Sequence, residues 1–333
     1  MKRYLLPKGQ KFYKANLHCH STVSDGKMTP EEIKKAYMEN GYSIVAFTDH
    51  EVMVPHPELA EENFLPLNAY EYAIMEEETE EKNCFKLRKC CHMCLIALEP
   101  DNRNHVCWHG ILLGNAQNYA SYGNADPDAP LYQRVYSGEG ITEVMQSARN
   151  AGFFVTYNHP SWSMEDMVDI IDYHGMHALE IFNSGTYFGG WNDYQNDLFD
   201  AMLRRGKQVY CIAADDNHSG RHMFGGWTMI SADKLEYRTI TKALEDGHFY
   251  ASTGPEIKAL WFEDGNIHVE CSPASEIQVN YGSRRASRLL AEDTPLTHAE
   301  FPVEPNDFYV RITVTDAKGG HANTNPYYTK DLF

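Results

Sequence analysis

Residues 15–26 read ANLHCHSTVSDG, and this stretch predicts the first strand of the fold together with its functional end. Residues 15–20 are expected to form a strand, in which side chains alternate between the two faces, so that the imidazoles of His18 and His20 point to the same side. Two imidazole nitrogens can bind one metal ion, although two histidines at a polar strand end also occur by chance. The rest of the chain is needed to decide between these two interpretations.

The sequence that follows alternates helical and strand-like segments as far as about residue 252. Thr29 and Glu32 form a capping box before a helical pattern that stops at Gly41. The next strand, SIVAFTDH at 43–50, is apolar enough to be buried on both faces, as parallel strands are. Further strands are expected at 65–71, 91–98, 107–113, 153–159, 178–184 and 208–216. About seven parallel strands with intervening helices predict an α/β fold, a distorted TIM-like (β/α)7 barrel.

The pattern changes after Gly254 and Pro255. Runs of alternating apolar and polar residues occur at 257–264, 266–272, 276–282 and 308–316, without a long helical pattern between them. Such runs predict a small C-terminal antiparallel β-sandwich. The expected domains are therefore a barrel at 1–254 and a β-sandwich at 255–333.

Composition restricts the possible functions. The 333 residues include 47 Asp and Glu against 29 Lys and Arg, so the net charge is −18, which argues against an extended nucleic-acid surface. The sequence has no long apolar run and no apolar segment typical of a signal peptide, so we expect a cytoplasmic protein without a membrane partner. The cysteines are expected to be reduced, and a structural zinc site at Cys90, Cys91, His92 and Cys94 is a weaker alternative.

Metal-ligating residue types recur where the predicted strands end. In a barrel, strand ends that are far apart in sequence are neighbours in space. The candidate ligands are therefore expected to face one mouth, where bound metal ions would satisfy their polar atoms. They are His18, His20, Asp25, His50, Glu71, His92, His159, Asp216 and His218.

The ordered motifs HCHSTVSDG, FTDHE, Glu71, NHPSW and DDNHSG resemble those of the PHP family, named for polymerase and histidinol phosphatase. The resemblance covers nearly all of residues 12–252 and implies a distorted barrel with two or three metal ions. It implies that His18, His20, Glu71 and Asp216 hold one ion. Glu71 would bridge to a second ion held by His92 and His159, and Asp25, His50 and His218 would hold a third.

Two parts of the resemblance leave alternatives open. The family histidine after Glu71 usually follows about ten residues later, whereas His92 follows after 21 residues that include an acidic insertion, so His105 and His109 compete with it. The segment FYASTGPEI and the tail TDAKGGHANTNPYY are similar to a PHP subgroup that includes hydrolases acting on carbamate esters. This second similarity leaves the substrate class open.

The predicted function is a metal-dependent phosphoesterase, which would use metal-activated water and need no protein nucleophile. The expected substrate is a small phosphorylated molecule such as a nucleotide or sugar phosphate, and nitrogen and oxygen ligands suit Zn, Mn or Fe. Arg221 and Arg134 are candidate phosphate partners, and Asn183 could line the pocket or cap a helix. Alternatives are a carboxyl or carbamate ester hydrolase on the same site, and an accessory or proofreading module in a larger assembly. The sequence does not determine the oligomeric state.

Overall fold

The computed structural model describes residues 2–123, Asp128 and 130–333, so Met1, 124–127 and 129 of the predicted first domain lie outside it. The fold is mixed α/β with a large β-rich part. Within the described residues the strands are β1 Arg3–Tyr4, β2 Lys11–Asn16, β3 Ile44–Phe47, β4 Leu65–Met75, β5 Cys90–Ala97, β6 Phe153–Tyr157, β7 Ala178–Asn183, β8 Tyr210–Ala214, β9 Trp227–Ala232, β10 Phe249–Ser252, β11 Ile257–Glu263, β12 Asn266–Ala274, β13 Glu276–Tyr281, β14 Ala286–Leu290, β15 Leu296–Pro302, β16 Tyr309–Thr315, β17 His321–Thr324 and β18 Tyr327–Tyr328.

The helices are shorter elements that connect and cover these strands. The α-helices are α1 Pro30–Glu39, α2 Ala120–Gly123, α3 Gly138–Asn150, α4 Pro160–Ser163, α5 Met167–Ile170, α6 Ser184–Phe188, α7 Asn196–Arg204, α8 Tyr237–Glu245 and α9 Thr329–Leu332. Short 3-10 turns lie at Pro57–Leu59, Phe85–Leu87, Gly114–Tyr119 and Gly220–His222. None of the described helices is long and apolar enough to cross a membrane.

The first half of the large sheet contains the strands that carry the candidate ligands. Its order runs β9-β2-β3-β4-β5-β6-β7-β8. The pairs β2–β3, β3–β4, β6–β7 and β7–β8 are parallel, but β5 is antiparallel to both of its neighbours. The prediction of parallel strands throughout is therefore wrong at β5. The connection 76–89 contains only a 3-10 turn, whereas a parallel return to the neighbouring strand is usually made through a crossover helix.

The two ends of this strand series approach each other without forming a ladder. An isolated parallel bridge joins Cys19 to Asn217, and the Asp216 N–H donates to the carbonyl of His18 at 2.9 Å. No ladder joins β8 to β2 in the part of the chain that the structure describes. The described sheet is thus open, and a closed seven-stranded barrel is not confirmed.

A strand was also expected at 107–113, where the structure has irregular backbone. Cys107 and Gly110 both have positive φ angles, 50° and 72°, which an extended strand does not allow. The structure also has strands at positions for which no strand was expected from the sequence, among them β9 and β10.

The C-terminal part consists of antiparallel strands in two layers. One layer has the order β1-β11-β12-β15, and the other continues the large sheet through β10-β17-β16-β13-β14. Buried side chains from both layers, including Ile267, Val269, Ile277 and Ile312, form one apolar core. The first strand of the chain, β1, pairs with β11, so residues at the N-terminus take part in the C-terminal layer.

Candidate metal centre

All nine predicted ligands lie together at one edge of the large sheet. His18 and His20 follow β2, His50 follows β3, His159 follows β6, and Asp216 and His218 follow β8. Glu71 lies inside β4 rather than at its end, and His92 lies near the start of β5. Because β5 runs antiparallel to β4, its start lies beside the second half of β4, which brings His92 to the same edge as Glu71.

Glu71 is at the centre of this cluster, and its buried carboxylate contacts five imidazoles. Oε1 lies 3.1 Å from His18 Nε2, 3.1 Å from His92 Nδ1 and 3.2 Å from His159 Nε2. Oε2 lies 3.5 Å from His20 Nε2 and 3.0 Å from His50 Nδ1. One carboxylate with histidines on both of its oxygens has the arrangement of a ligand that bridges two ions.

The potential ligand atoms form overlapping groups. His20, Asp25, His50 and His218 converge in one group, and His18, His159 and Asp216 in a second. His50, Glu71 and His92 form a third, and His18, Glu71 and Cys94 a fourth. These groups differ from the partition that the resemblance implies, because His20 also lies with Asp25 and His159 also lies with His18.

The polar atoms of the cluster are close together, yet several make no well-oriented hydrogen bond within the described structure. His20 Nδ1, His92 Nδ1 and Asp216 Oδ1 are buried without a well-oriented hydrogen bond, although His92 Nδ1 lies 3.1 Å from Glu71 Oε1 and Asp216 Oδ1 lies 3.1 Å from His20 Nε2. The Nε2 atoms of His18 and His20 lie 3.1 Å apart. Two nitrogen ligands at roughly 2.0–2.1 Å from one zinc ion would lie about 3.3 Å apart in tetrahedral geometry. The donor set therefore fits divalent metal binding.

Burial and neighbouring charges shift the pKa values of these histidines in opposite directions. Burial, reinforced by the nearby His218 and His50, lowers the pKa of His20 to about 3. Burial also disfavours the charged form of His159, but its hydrogen bond to Glu71 and the charge of Asp216 outweigh this and raise its pKa to about 9. Without bound cations, the carboxylates of the cluster are thus balanced partly by protonated imidazoles.

Residues outside the predicted set hold the ligands in position. Glu180 is fully buried and contacts His18 Nδ1 at 3.0 Å through Oε1, while its Oε2 accepts the backbone N–H of His159 at 2.9 Å. Asn158 donates to Glu71 Oε1 at 3.0 Å. A carboxylate on the second nitrogen of a histidine fixes the tautomer that presents the other nitrogen to a metal ion.

Two further buried aspartates organise the loops that carry the ligands. Asp49 accepts hydrogen bonds from the backbone and hydroxyl groups of Ser21 and Ser24, which shapes the loop between His20 and Asp25. Asp215 accepts the backbone N–H groups of residues 224–226 and the hydroxyl of Tyr37. Burial raises the pKa of Asp215 to about 6 despite these bonds.

The backbone is strained beside the cluster. Three residues have positive φ angles, which residues other than glycine rarely adopt: 27° at His159, 49° at Asp216 and 63° at Glu51. Such conformations persist only where the surrounding structure enforces them, and they concentrate at functional sites.

The cluster lies at the bottom of a cavity of about 520 Å³. Its wall includes the aromatic residues Phe85, Trp162 and Trp191, together with Thr186 and His222. No lysine or arginine is among the described lining residues.

None of the three predicted substrate-binding residues lines this cavity. Arg221 lies in the exposed 3-10 turn and donates to the carbonyl of Phe188 at 3.3 Å. Arg134 is held by Glu51 Oε1 at 2.9 Å and by the carbonyl of Ala73 at 2.5 Å, so its guanidinium is already paired. Neither arginine is among the lining residues, although Arg134 is paired with Glu51 and Ala73, which line the cavity.

Asn183 has a structural position instead. It caps α6 by accepting the N–H of Thr186 at 2.8 Å, and it donates to Glu180 at 2.8 Å and Asp216 at 3.2 Å. Asn183 therefore contacts the candidate ligand Asp216 but does not line the cavity.

Of the three histidines considered for the position after Glu71, the structure brings only His92 into the cluster. His105 Nε2 accepts the N–H of Met53 at 2.8 Å, and burial lowers its pKa to about 4. His109 contacts Glu51 at 3.0 Å. Cys91 points to the face of β5 opposite to Cys90, His92 and Cys94, and no group of converging ligand atoms among the described residues includes Cys90 or Cys91.

Sequence reasoning missed Glu180, Asn158, Trp162 and His222, and it considered Cys94 only for a separate structural zinc site. A signal existed for two of them, because Asn158 and Trp162 belong to the quoted motif NHPSW. Glu180 lies within a strand whose other residues are mostly apolar, ALEIFN, and a charged residue inside such a strand indicates a buried partner.

Part of the chain matches a known protein family. Residues 16–153 match the family model of the PHP domain, a range that contains six of the nine candidate ligands. No curated protein matches the chain significantly. The resemblance to the PHP family that the motifs indicated is thereby confirmed.

Several solved structures are similar to the chain at low identity. A two-domain protein with a PHP-like metal-dependent phosphoesterase from Bacteroides vulgatus is 14% identical over 97% of this chain and 98% of that chain, with a TM-score of 0.47. A metal-dependent phosphoesterase from Bifidobacterium adolescentis is 17% identical over 65% and 90%, with a TM-score of 0.40. An amidohydrolase from Chromobacterium violaceum with bound sulfate is 15% identical over 71% and 96%, with a TM-score of 0.45.

Proposed function

We propose that this PHP-domain chain is a metal-dependent phosphomonoesterase that acts on a small phosphorylated molecule, such as a nucleotide or sugar phosphate. The observation that carries the proposal is the Glu71 carboxylate, which contacts five imidazoles at 3.0–3.5 Å at the bottom of an open cavity. We infer that the cluster holds two or three divalent ions, as the resemblance to the PHP family implies. The nitrogen and oxygen donors suit Zn, Mn or Fe.

The proposed ligand groups follow the contacts. His20, Asp25, His50 and His218 would hold one ion, and His18, His159 and Asp216 another. Glu71 would bridge the two ions. His92, which lies next to Glu71 Oε1, would be a further ligand. Bound divalent ions supply hydroxide from water at neutral pH and stabilise the charge of the phosphoryl oxygens.

The side chains of this chain then have defined tasks. Glu180 and Asn158 orient His18 and Glu71 through the hydrogen bonds described above. Thr186 and His222 line the cavity and offer polar groups to a substrate oxygen. The described lining contains no lysine or arginine, so in the metal-loaded site the phosphate charge would be balanced mainly by the bound cations.

That absence of Lys and Arg also favours a second candidate function, hydrolysis of a carboxyl or carbamate ester at the same metal site. An uncharged ester needs no cationic side chain. A non-catalytic role in a larger assembly is less consistent with a complete donor set. We also propose that the predicted division at 254/255 separates the site-bearing part from the β-rich part, which contributes none of the nine ligands.

The test is a hydrolysis assay with metal-loaded protein. Purified protein is stripped with chelator, reloaded with Mn²⁺, Zn²⁺ or Fe²⁺, and assayed on matched phosphate, acetate and carbamate esters. Turnover confined to phosphate esters supports the proposal, and turnover confined to the other esters favours the second candidate.

Glu71→Gln is the inactive control, because it removes the bridging charge and keeps the side-chain size. Glu78→Gln, an exposed position in the 76–89 connection, is the matched surface control and should behave as the unaltered protein. If the Glu71→Gln variant hydrolyses phosphate esters as fast as the unaltered protein, the activity does not come from this site and the proposal fails.

A further inference from the structure

One wall of the cavity is aromatic and begins directly beside the candidate ligands. The ring of Trp162 lies 5.0 Å from that of His92 and 5.1 Å from that of His159. The ring of Phe85 lies 5.9 Å from Trp162, and Trp191 lines the same cavity. A substrate bound at the metal centre would therefore place the group next to its phosphate against these rings.

Two of these rings are exposed to an unusual degree for large apolar side chains. Phe85 is 48% exposed and Trp191 is 47% exposed. The 3-10 turn that carries Phe85 has no buried residue, so the ring is not there to fill a core. Contiguous exposed apolar side chains beside a cavity are typical of a ligand-binding surface.

The segment that carries Phe85 is the connection between β4 and β5, which is the insertion between Glu71 and His92. One ion pair ties the end of the insertion to α5, since Lys89 contacts Asp169 at 2.7 Å, and a second, between Lys82 and Glu76 at 2.6 Å, lies within the insertion. The insertion thus brings an aromatic ring to the cavity, although its first residues, 76–81, are mainly acidic.

From this wall we infer that the substrate is a phosphate monoester whose alcohol carries an aromatic ring, bound by Phe85, Trp162 and Trp191. The inference rests on the proposed phosphomonoesterase function and specifies its substrate class. An uncharged flat ring matches a lining that combines aromatic side chains with no lysine or arginine among its described residues. Aromatic pairs gain stabilisation beyond their buried area when they stack or meet edge to face.

The reaction balances with water as the only co-reactant. The oxygen of water forms a new bond to phosphorus while the bond from phosphorus to the ester oxygen breaks. The alcohol leaves with a proton that derives from the water, and inorganic phosphate remains. The aromatic ring stays on the alcohol, so the wall binds both the substrate and one product.

The experiment compares two esters that differ in the flatness of the ring. Benzyl phosphate and cyclohexylmethyl phosphate have similar size, and both leaving groups are primary alcohols. We expect the Mn²⁺-loaded protein to favour benzyl phosphate by about tenfold in kcat/KM. In Phe85→Ala and Trp191→Ala, the ratio of the two kcat/KM values should fall toward one.

Leu87→Ala is the matched control, since Leu87 lies in the same turn, is also 48% exposed and does not line the cavity. Its ratio should equal that of the unaltered protein. Equal rates for the two esters, or a ratio that Phe85→Ala and Trp191→Ala leave unchanged, would overturn the inference while leaving the phosphomonoesterase proposal standing. If neither phosphate ester is hydrolysed, the proposed function fails instead, so the two failures are distinguishable.

Discussion

At the scale of single residues, Glu180 shows how a side chain outside the cavity can control the metal centre. Its two oxygens contact the ring of His18 and the backbone N–H of His159, so one buried carboxylate positions residues from two different chain segments. Neither contact reaches the cavity, because Glu180 lies behind the ligands and is fully buried. Its effect must therefore pass through the orientation and basicity of His18.

Glu180→Gln is expected to weaken metal binding while leaving all nine candidate ligands in place. The amide keeps the size of the side chain but loses the charge that holds His18 in one tautomer, and losses of 10–100-fold in metal affinity are usual for such partners. The measurement is titration of chelator-stripped protein with Mn²⁺ by calorimetry. Glu236→Gln, at an exposed position before α8, is the control and should bind as the unaltered protein does. An unchanged affinity in Glu180→Gln would show that His18 is held without it.

Residue types and their positions near strand ends were enough to predict the members of the cluster. The order of contacts within it could not be predicted, because it depends on tertiary packing. Glu71 illustrates the limit: the sequence places it at the end of a strand, whereas it lies inside β4 and contacts histidines from four other segments. Arg134 was predicted to bind substrate, but it is paired with Glu51 instead. This partner is remote in sequence, so the pairing could not be predicted.

At the scale of elements, local sequence signals predicted the positions of helices and strands better than the direction in which neighbouring strands pair. The expected helix after Thr29 is present as α1, with both hydrogen bonds of its capping box. All four expected C-terminal runs are strands, because alternation of apolar and polar residues is a local pattern. Strand β5 was located, but its direction depends on whether the connection 76–89 crosses the sheet, and periodicity carries no information about that.

Removing the cap of α1 should cost a measurable amount of stability. Thr29 accepts the N–H of Glu32, and the Glu32 carboxylate accepts the N–H of Thr29 at 2.9 Å. Thr29→Ala loses the hydroxyl that accepts the Glu32 N–H and should destabilise the protein by about 1 kcal/mol. The midpoint of thermal unfolding should fall by roughly 1–3 °C. Thr29→Ser keeps a hydroxyl and should restore most of the midpoint, whereas equal losses in both variants would assign the effect to packing.

At the scale of the whole molecule, a buried ion pair joins the β-rich C-terminal part to the rest. Arg311 on β16 is fully buried and donates to both oxygens of Asp200 on α7, at 2.8 Å and 2.7 Å. Tyr309 and Asn280 also donate to this carboxylate, at 3.0 Å and 2.8 Å. The C-terminal strands thus supply all three partners named here for the carboxylate of Asp200. Asp200 itself lies on a helix of the site-bearing part.

Arg311→Met should destabilise the protein by about 3–5 kcal/mol at neutral pH, because it leaves the carboxylate of Asp200 buried without a cation. In the unaltered protein, burial tends to raise the pKa of Asp200, but Arg311 outweighs it and holds this pKa below its ordinary value. The stabilisation by the pair is therefore present at neutral pH and is lost as the pH falls through that lowered pKa.

The unfolding free energy of Arg311→Met should change with acid in the opposite direction from that of the unaltered protein. Without Arg311 the pKa of Asp200 rises above its ordinary value, so protonation removes the unpaired charge. The difference in unfolding free energy between the two proteins should shrink on acidification toward pH 4, as measured by urea unfolding across a pH series. The double variant Arg311→Met, Asp200→Leu should recover much of the loss at neutral pH. A difference that does not vary with pH would show that lost packing, rather than the charge, accounts for the destabilisation.

Metal binding should stabilise the whole molecule, because the ligands come from six strands or the loops that follow them. In the metal-free state, Asp25, Glu71 and Asp216 are close together, and Asp216 Oδ1, His20 Nδ1 and His92 Nδ1 are buried without well-oriented hydrogen bonds. An ion that binds only the folded chain adds a free energy that grows with its concentration, about 2.7 kcal/mol at one hundred times its dissociation constant. The thermal midpoint of chelator-stripped protein should therefore rise progressively as Mn²⁺ or Zn²⁺ is added. The double variant His18→Ala, His20→Ala should show a much smaller rise, since two of the central ligands are gone. If the midpoint of the unaltered protein does not move, or moves equally in the double variant, the ions bind elsewhere and the assigned metal centre is wrong.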